Sequence, residues 1–232
     1  MNPTVSIIVP VYNTKPEYLS CALSSIAQQT YKDYEIIILD DHSTLDYPNN
    51  LFANISKLTV YKNQKHEGIC KTISKALQLC KGKYIVRVDS DDAIMSTLLE
   101  KEVSFLENHA DYGAVCCDLQ RVGLECSKIR RPERWDMKSI LDGETSGTGF
   151  AGGMMFRAGL LKTCSLDTTL PFCEDFDFHL QLLQQAKINS LHEPLYLYRV
   201  HPQNTTGTDT FFATKQAVIQ QIILKHKKYR SR

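Results

Sequence analysis

The alternation of short β-branched runs with helix-forming stretches constrains this chain more than any other feature. Val5 to Val11 reads VSIIVPV, Glu35 to Leu39 reads EIIIL and Lys83 to Val88 reads KYIVRV. Runs this short and this uniformly apolar suit strands buried on both faces. Between them lie segments with helix signals. Thr14-Lys15-Pro16-Glu17 joins a capping-box pattern to a proline in the first turn, and predicts a helix from Pro16 to Gln29. Gly68 to Lys81 reads as a second helix, with Gly82 placed to end it. Thr97 to Asn108 is a third, opening on another T-x-x-E. Leu58 to Tyr61 and Ala114 to Cys117 add short strands. The alternation predicts an α/β fold, a mixed and mainly parallel sheet with helices on both faces.

The second half is less regular. Arg121 to Phe150 is polar and broken by glycines, and reads as a long functional loop region. Gly152 to Arg157 is a further strand, Glu174 to Ala186 a helix, and Leu195 to Val200 a late strand. His201 to Thr208 is rich in turn residues, and Asp209 to Lys228 is a C-terminal helix with Phe212, Ile219 and Ile223 apolar. With 232 residues, 43% of them hydrophobic, the chain is long enough for one domain with its own core. Its parts are a regularly alternating half (about 1–120), a less regular half (about 121–208) and a C-terminal helix with a basic tail (209–232).

Charge and cysteine content narrow the setting. Basic and acidic residues number 27 and 26, a balance that speaks against nucleic acid as a partner. The one basic cluster, Lys225 to Arg232, reads either as a solvated end or as a loose contact to anionic lipid. None of the eight cysteines stands in C-x-x-C spacing, and a reducing compartment suits them. No basic leader precedes the first strand, and no apolar run approaches the roughly 20 residues a bilayer span needs. These features predict a cytoplasmic protein, peripheral to the inner membrane face at most.

The acidic residues follow the strands. Asp40-Asp41 ends one, and Asp89-Ser90-Asp91-Asp92 ends another. Ligands of parallel sheets bind beyond these carboxyl ends. Crowded carboxylates repel unless something positive lies among them. Mg²⁺ or Mn²⁺ would serve, taking one or two carboxylates together with substrate phosphates. Alone, the D-x-D is equally a polar turn, with Asp92 the acid ahead of the next helix.

The order of the motifs is more specific. VSIIVPVYN is followed by EIIILDDHST, HEGICKTISKAL and GKYIVRVDSDD, then by Cys173-Glu174-Asp175-Phe176-Asp177 and Tyr198-Arg199-Val200-His201. From Val5 to Thr205 this series closely resembles the family-two glycosyltransferases. The resemblance implies the GT-A fold, a Rossmann-like architecture, and inverting transfer from a nucleotide-sugar donor, UDP-sugar first with dTDP presenting the same imide. The acceptor would be a hydroxyl of a glycan or glycolipid, and the cofactor Mn²⁺ or Mg²⁺.

Roles follow position by position. Pro10, Val11 and Tyr12 would border the base, and Asp41 would accept its imide N–H. Gly68 would let the backbone approach the nucleotide, with Lys71 near it unless that lysine is merely solvated. Asp89 would hold the ribose, Ser90 would lie in the diphosphate turn, and Asp91 would ligate the metal. His201 would complete the metal shell or touch the diphosphate. Asp175 would be the general base, with Glu174 raising its pKa or binding acceptor, and both also suit a helix N-terminus. Arg199 would neutralise the diphosphate or pair with a nearby carboxylate, and Arg130, Arg131 and Arg134 are further candidates for phosphate. Two departures stand out. His42 replaces the glycine of D-D-G-S, so that turn is expected to differ, and Thr72-Ile73-Ser74 replaces Ala-Arg-Asn, leaving Lys71 as the substitute cation.

Two rival classes remain. A nucleotidyltransferase would carry a glycine-rich basic loop after the first strand, which Val11 to Lys15 lacks. A non-catalytic nucleotide-sugar binding protein is compatible with the fold, though Asp91 and Asp175 argue against it.

Overall fold

The computed structural model describes residues 2–48, 50–53, 55–133, 135–142, 152–204 and 209–227. In chain order the first half comprises β1 (Val5–Val11), α1 (Pro16–Ala27), β2 (Tyr34–Asp40), α2 (Asn50–Ala53), β3 (Leu58–Lys62), α3 (Ile69–Leu79) and β4 (Tyr84–Arg87). Then come β5 (Ala93–Ile94), α4 (Leu98–Asn108), β6 (Tyr112–Gly123), β7 (Lys128–Ile129), α5 (Met137–Leu141) and β8 (Met154–Arg157). A 3₁₀ turn (Ala158–Lys162), α6 (Glu174–Gln185), β9 (Lys187–Val200) and α7 (Asp209–His226) follow.

The strands form one sheet in the order β3-β2-β1-β4-β8-β6-β9-β5, with β7 added beside β6. The four strands of the first half are mutually parallel. Past β4, the antiparallel β8 joins them to the parallel pair β6–β9. β1 is central and every residue in it is buried, which is why it carries no polar alternation. Its side chains divide between two cores. Ile7 and Val9 pack with Leu19, Leu23 and Ile26 of α1 and Leu98 and Val103 of α4. Ile8 faces Ile73 and Leu77 of α3, Phe178 and Leu182 of α6, and Ile222 of α7. The result is helix, sheet, helix, with each buried aliphatic side chain contributing about 1.5–3 kcal/mol.

Several sequence expectations change in detail. α1 starts at Pro16 without a side-chain cap, because the Thr14 hydroxyl turns instead to Ser90, 2.6 Å away. Gly82 does not end α3 by a left-handed turn. Its amide donates to Ser6 Oγ at 2.8 Å, and a Cβ there would sit 2.5 Å from the Ser6 backbone nitrogen. The stretch from Arg121 is not wholly loop, since β6 runs on to Gly123 and β7 and α5 follow. The late strand begins at Lys187 rather than Leu195. Lys225 is no free tail charge, because it bridges Asp167 and Asp177. Arg134, residues 143–151 and 205–208, and the tail beyond Lys227 lie outside the described residues. All eight cysteines are unbridged. No helix among the described residues is long and apolar enough to cross a membrane.

Candidate functional site

The carboxyl ends of β2, β1 and β4 open together onto a cleft of about 600 Å³, closed on its far side by the start of α6, the end of β9 and α7. Pro10, Val11 and Tyr12 line it from β1, Asp41 and Gly68 from beside β2, and Asp89, Ser90 and Asp91 from beyond β4. Glu174, Asp175, Tyr198, His201 and Lys215 line the opposite wall.

Asp41 is buried and fully bonded. Its Oδ1 accepts from Asn63 Nδ2 at 2.8 Å and Glu67 N at 2.9 Å. Its Oδ2 accepts from Gly68 N at 2.8 Å and from His66 Nδ1 at 2.8 Å. The carboxylate therefore builds the 63–68 loop, and Gly68 can enter α3 at φ 88° without strain. His42 departs from the expected turn less than its side chain suggests. It adopts φ 65°, the conformation glycine would take freely, so the turn is kept and the histidine bears the strain.

The D-S-D-D turn is held from behind by β9. The Asp89 amide donates to the Tyr196 hydroxyl at 3.0 Å, and that hydroxyl donates to Asp92 Oδ2 at 2.8 Å. Asp92 also accepts the Arg199 amide at 2.7 Å. Burial, with Asp89 and Asp91 adding repulsion, raises the Asp92 carboxyl well above its ordinary range. Asp92 is thus an internal anchor rather than a solvated acid ahead of α4. Arg199 corrects another expectation. Its Nε donates to the Asp91 carbonyl at 2.8 Å and its guanidinium stacks over Tyr18 at 4.7 Å, so it braces the turn and does not line the cleft.

With the turn so fixed, the Asp91 carboxylate projects into the cleft and meets His201 Nε2 at 2.9 Å, with Asn204 Nδ2 at 3.5 Å. A carboxylate and an imidazole facing one space are a plausible half-shell for Mn²⁺ or Mg²⁺. No cluster of three or more such ligands occurs among the described residues, so water and substrate phosphates would have to complete the shell.

The acids of α6 are aimed by strain and by a cation. Cys173 precedes them at φ 61°, a left-handed position that turns the chain sharply into the helix. Arg87, buried at the end of β4, donates from Nε to Asp89 at 2.5 Å and from Nη1 to Glu174 at 2.9 Å. Burial opposes its charge, yet Asp89 and Glu174 outweigh that and hold it protonated. Asp175, on the cleft wall, has its pKa pushed up to about 6 by burial and by Glu174, with Arg87 opposing. The arrangement offers a carboxylate able to take a proton near neutrality, opposite a site for anionic oxygens.

A sequence profile described as glycosyl transferase family 2 matches residues 6–176, well over half the chain. The chain belongs to glycosyl transferase family 2. Among similar proteins, EpsE of Bacillus subtilis, which bears a glycosyltransferase's name, is 34% identical over 212 residues, covering 85% of this chain and 73% of that protein. TarS of S. aureus, solved with UDP-GlcNAc, superposes with a TM-score of 0.75 at 20% identity over 95% of this chain. The mannosyltransferase PcManGT of Pyrobaculum calidifontis, solved with GDP-Man and Mn²⁺, gives 0.70 at 19% identity over 100%. This chain spans 66% of each of those two structures, and at these identities they establish the GT-A fold.

The family-two cleft brings together most of the residues singled out from sequence and leaves some aside. Lys71 is exposed on α3 and lies outside the lining. Lys215 of α7 lines the cleft instead, though nothing near it in the sequence marked it. Arg131 is buried, its amide on Asp118 at 2.8 Å and its guanidinium on the carbonyls of Cys117 and Gly152, so it locks β6 rather than facing phosphate. Arg130 pairs with Glu133 on the surface. Arg87 and His66, like Lys215, are cleft residues that sequence reasoning missed. Arg87 had a signal, a charge inside an apolar strand, which requires a buried partner.

Proposed function

We propose that this family-two protein transfers a sugar from a nucleoside diphosphate sugar, with UDP as the favoured nucleotide, to a hydroxyl of a glycan or glycolipid acceptor, with inversion. One observation carries the reading: Asp41, Asp89, Asp91 and Asp175 line a single cleft, the first three at strand ends and the last facing them with its pKa pushed up to about 6. TarS with UDP-GlcNAc and PcManGT with GDP-Man and Mn²⁺ support a nucleotide-sugar donor on this fold. An acceptor carboxylate at Asp41 matches the imide N–H of uracil, which cytosine lacks at the same ring nitrogen.

The chemistry is a single displacement. The acceptor oxygen attacks the anomeric carbon as the bond from that carbon to the diphosphate oxygen breaks. Asp175 takes the acceptor proton. Arg87 holds Glu174 in position beside it, and Asp89 holds the ribose. A divalent ion carried by Asp91 and His201 would offset charge on the departing nucleoside diphosphate. Tyr12 and Pro10 flank the base.

Asp175→Asn tests the assignment. Transfer from UDP-sugar is expected to fall by about 10²-fold or more while the UDP affinity from calorimetry stays within about twofold. A variant that transfers at the parental rate removes Asp175 from the base role. A thermal-shift series of nucleotide-sugars with and without Mn²⁺ tests the donor, since stabilisation tracks binding to the folded state. No shift with any UDP-sugar overturns the UDP assignment.

A further inference from the structure

The imidazole of His66 has an unusual position for a side chain that is half exposed. It lies flat on the ring of Tyr12, centroids 4.0 Å apart and planes 23° apart. At the same time its Nδ1 meets Asp41 Oδ2 at 2.8 Å. A flat ring stacked on the tyrosine at the end of β1, with an N–H directed at Asp41, reproduces both contacts proposed above for a pyrimidine base. The bond count of Asp41 makes the two occupants exclusive. A carboxylate has about four acceptor positions. Three are filled by Asn63 Nδ2, Glu67 N and Gly68 N, donors that belong to the loop's own frame. The fourth is filled by His66, the one donor of the four on a solvent-accessible side chain free to rotate away. Lys75 holds the same loop independently, bonding Asn63 Oδ1 at 3.0 Å and pairing with Glu67 at 2.5 Å, so the backbone can stay in place when the imidazole leaves.

We propose that His66 is an internal stand-in for the nucleobase: it caps Tyr12 and Asp41 in the empty enzyme and is displaced by the uracil of the donor. The inference rests on the donor reading above and adds a specificity-setting residue to it. A ligand enters only if its base replaces both contacts of the imidazole, a flat face for Tyr12 and an N–H for Asp41. Uracil and thymine do so. Cytosine, which presents an acceptor at the corresponding ring nitrogen, replaces only the stack. In the free protein His66 also keeps the carboxylate satisfied, which an empty, buried Asp41 acceptor position would not be.

Displacement lowers apparent affinity by the fraction of molecules in which the site is open. His66→Ala is therefore expected to bind UDP about three- to tenfold more tightly than the parent by isothermal titration calorimetry. His66→Phe keeps a ring on Tyr12 without the bond to Asp41 and should fall between the two. In the parent, the His66 ring protons should resonate upfield over Tyr12 and move to solvent-like positions when UDP saturates the site. A His66→Ala variant that binds UDP no more tightly than the parent overturns the proposal, as does a His66 ring that stays upfield in the UDP complex. If neither protein binds UDP while both remain folded by circular dichroism, the pyrimidine donor falls and this role for His66 falls with it. UDP binding by the parent together with unchanged or weakened binding by His66→Ala removes the stand-in alone.

Discussion

Asp175 sets the pH range of the proposed reaction. Burial and Glu174 push its pKa up to about 6, and it accepts a proton only when ionised. The kcat/KM profile should therefore fall on the acid side, about tenfold per pH unit below roughly 6. Arg87 lowers the Asp175 pKa, so Arg87→Met should move that acid limb to higher pH, and a limb that stays in place would separate Arg87 from the base. Individual residues were legible in the sequence to the degree that chain order specifies them. Asp41, Asp91, Asp175 and His201 stand in motifs whose order announces them, and all four line the cleft. The direction of Arg199 was not legible, because it depends on how β9 meets the D-S-D-D turn, where its Nε donates to the Asp91 carbonyl. His66 stood at the head of the HEGICKTISKAL motif without a role, since stacking on Tyr12 joins residues whose proximity only the folded loop creates.

At the level of elements, α7 is docked by one buried acid. Asp177 accepts from His226 Nε2 at 2.8 Å and pairs with Lys225 at 2.9 Å, tying α7 to α6 two residues from Asp175. Burial alone would raise the Asp177 pKa, but the bonds from His226 and Lys225 outweigh it and hold the carboxyl below its usual range. This contribution is complete above the ordinary carboxylate pKa and is lost as pH falls from there through the lowered value. Asp177→Ala should cost about 3 kcal/mol in urea denaturation at neutral pH, and progressively less in acid. Gly82→Ala should cost about 1–3 kcal/mol for a different reason, because its Cβ meets Ser6 and Val5 backbone atoms at 2.5 and 2.8 Å and the buried central strand β1 cannot yield. Both changes are read from the same denaturation midpoints. The elements of the first half were visible as β-branched runs because strands buried on both faces have little choice of residue. β9 was only half visible. Its first part, KINSLHEP, mixes polar residues with a proline, and the irregular register opposite Cys117, Asp118 and Leu119 accommodates Pro194. β5 and β7, two residues each, are too short for any periodicity to show.

The molecule as a whole carries one charge problem far from the cleft. Glu102 of α4 is fully buried against β6, and neither carboxylate oxygen has a hydrogen-bond partner among the described residues. Burial raises its pKa well above the ordinary value, so it folds as the neutral acid. The unfolded chain releases that proton at a lower pH than the folded one. Stability is therefore greatest below the unfolded pKa and declines as pH rises toward the folded value. Glu102→Met should stabilise the protein by about 1–3 kcal/mol, or roughly 2–4 °C in Tm per kcal/mol, with the larger gain at pH 8 than at pH 5 in scanning calorimetry. An unchanged Tm at pH 8 would mean that the acid has a partner in solution. The fold class was legible because it follows from alternation over many residues, while the shape of the site depends on contacts between distant ones. The bonds that shape the D-S-D-D turn join residues 104 to 110 positions apart, from Tyr196, Arg199 and His201 back to Asp89, Asp91 and Asp92. On the ribosome, β1 to β4 can pair long before β9 has been translated. A nascent chain halted before Tyr196 would then carry every carboxylate of the turn without the bonds from Tyr196, Arg199 and His201 that brace Asp89, Asp91 and Asp92.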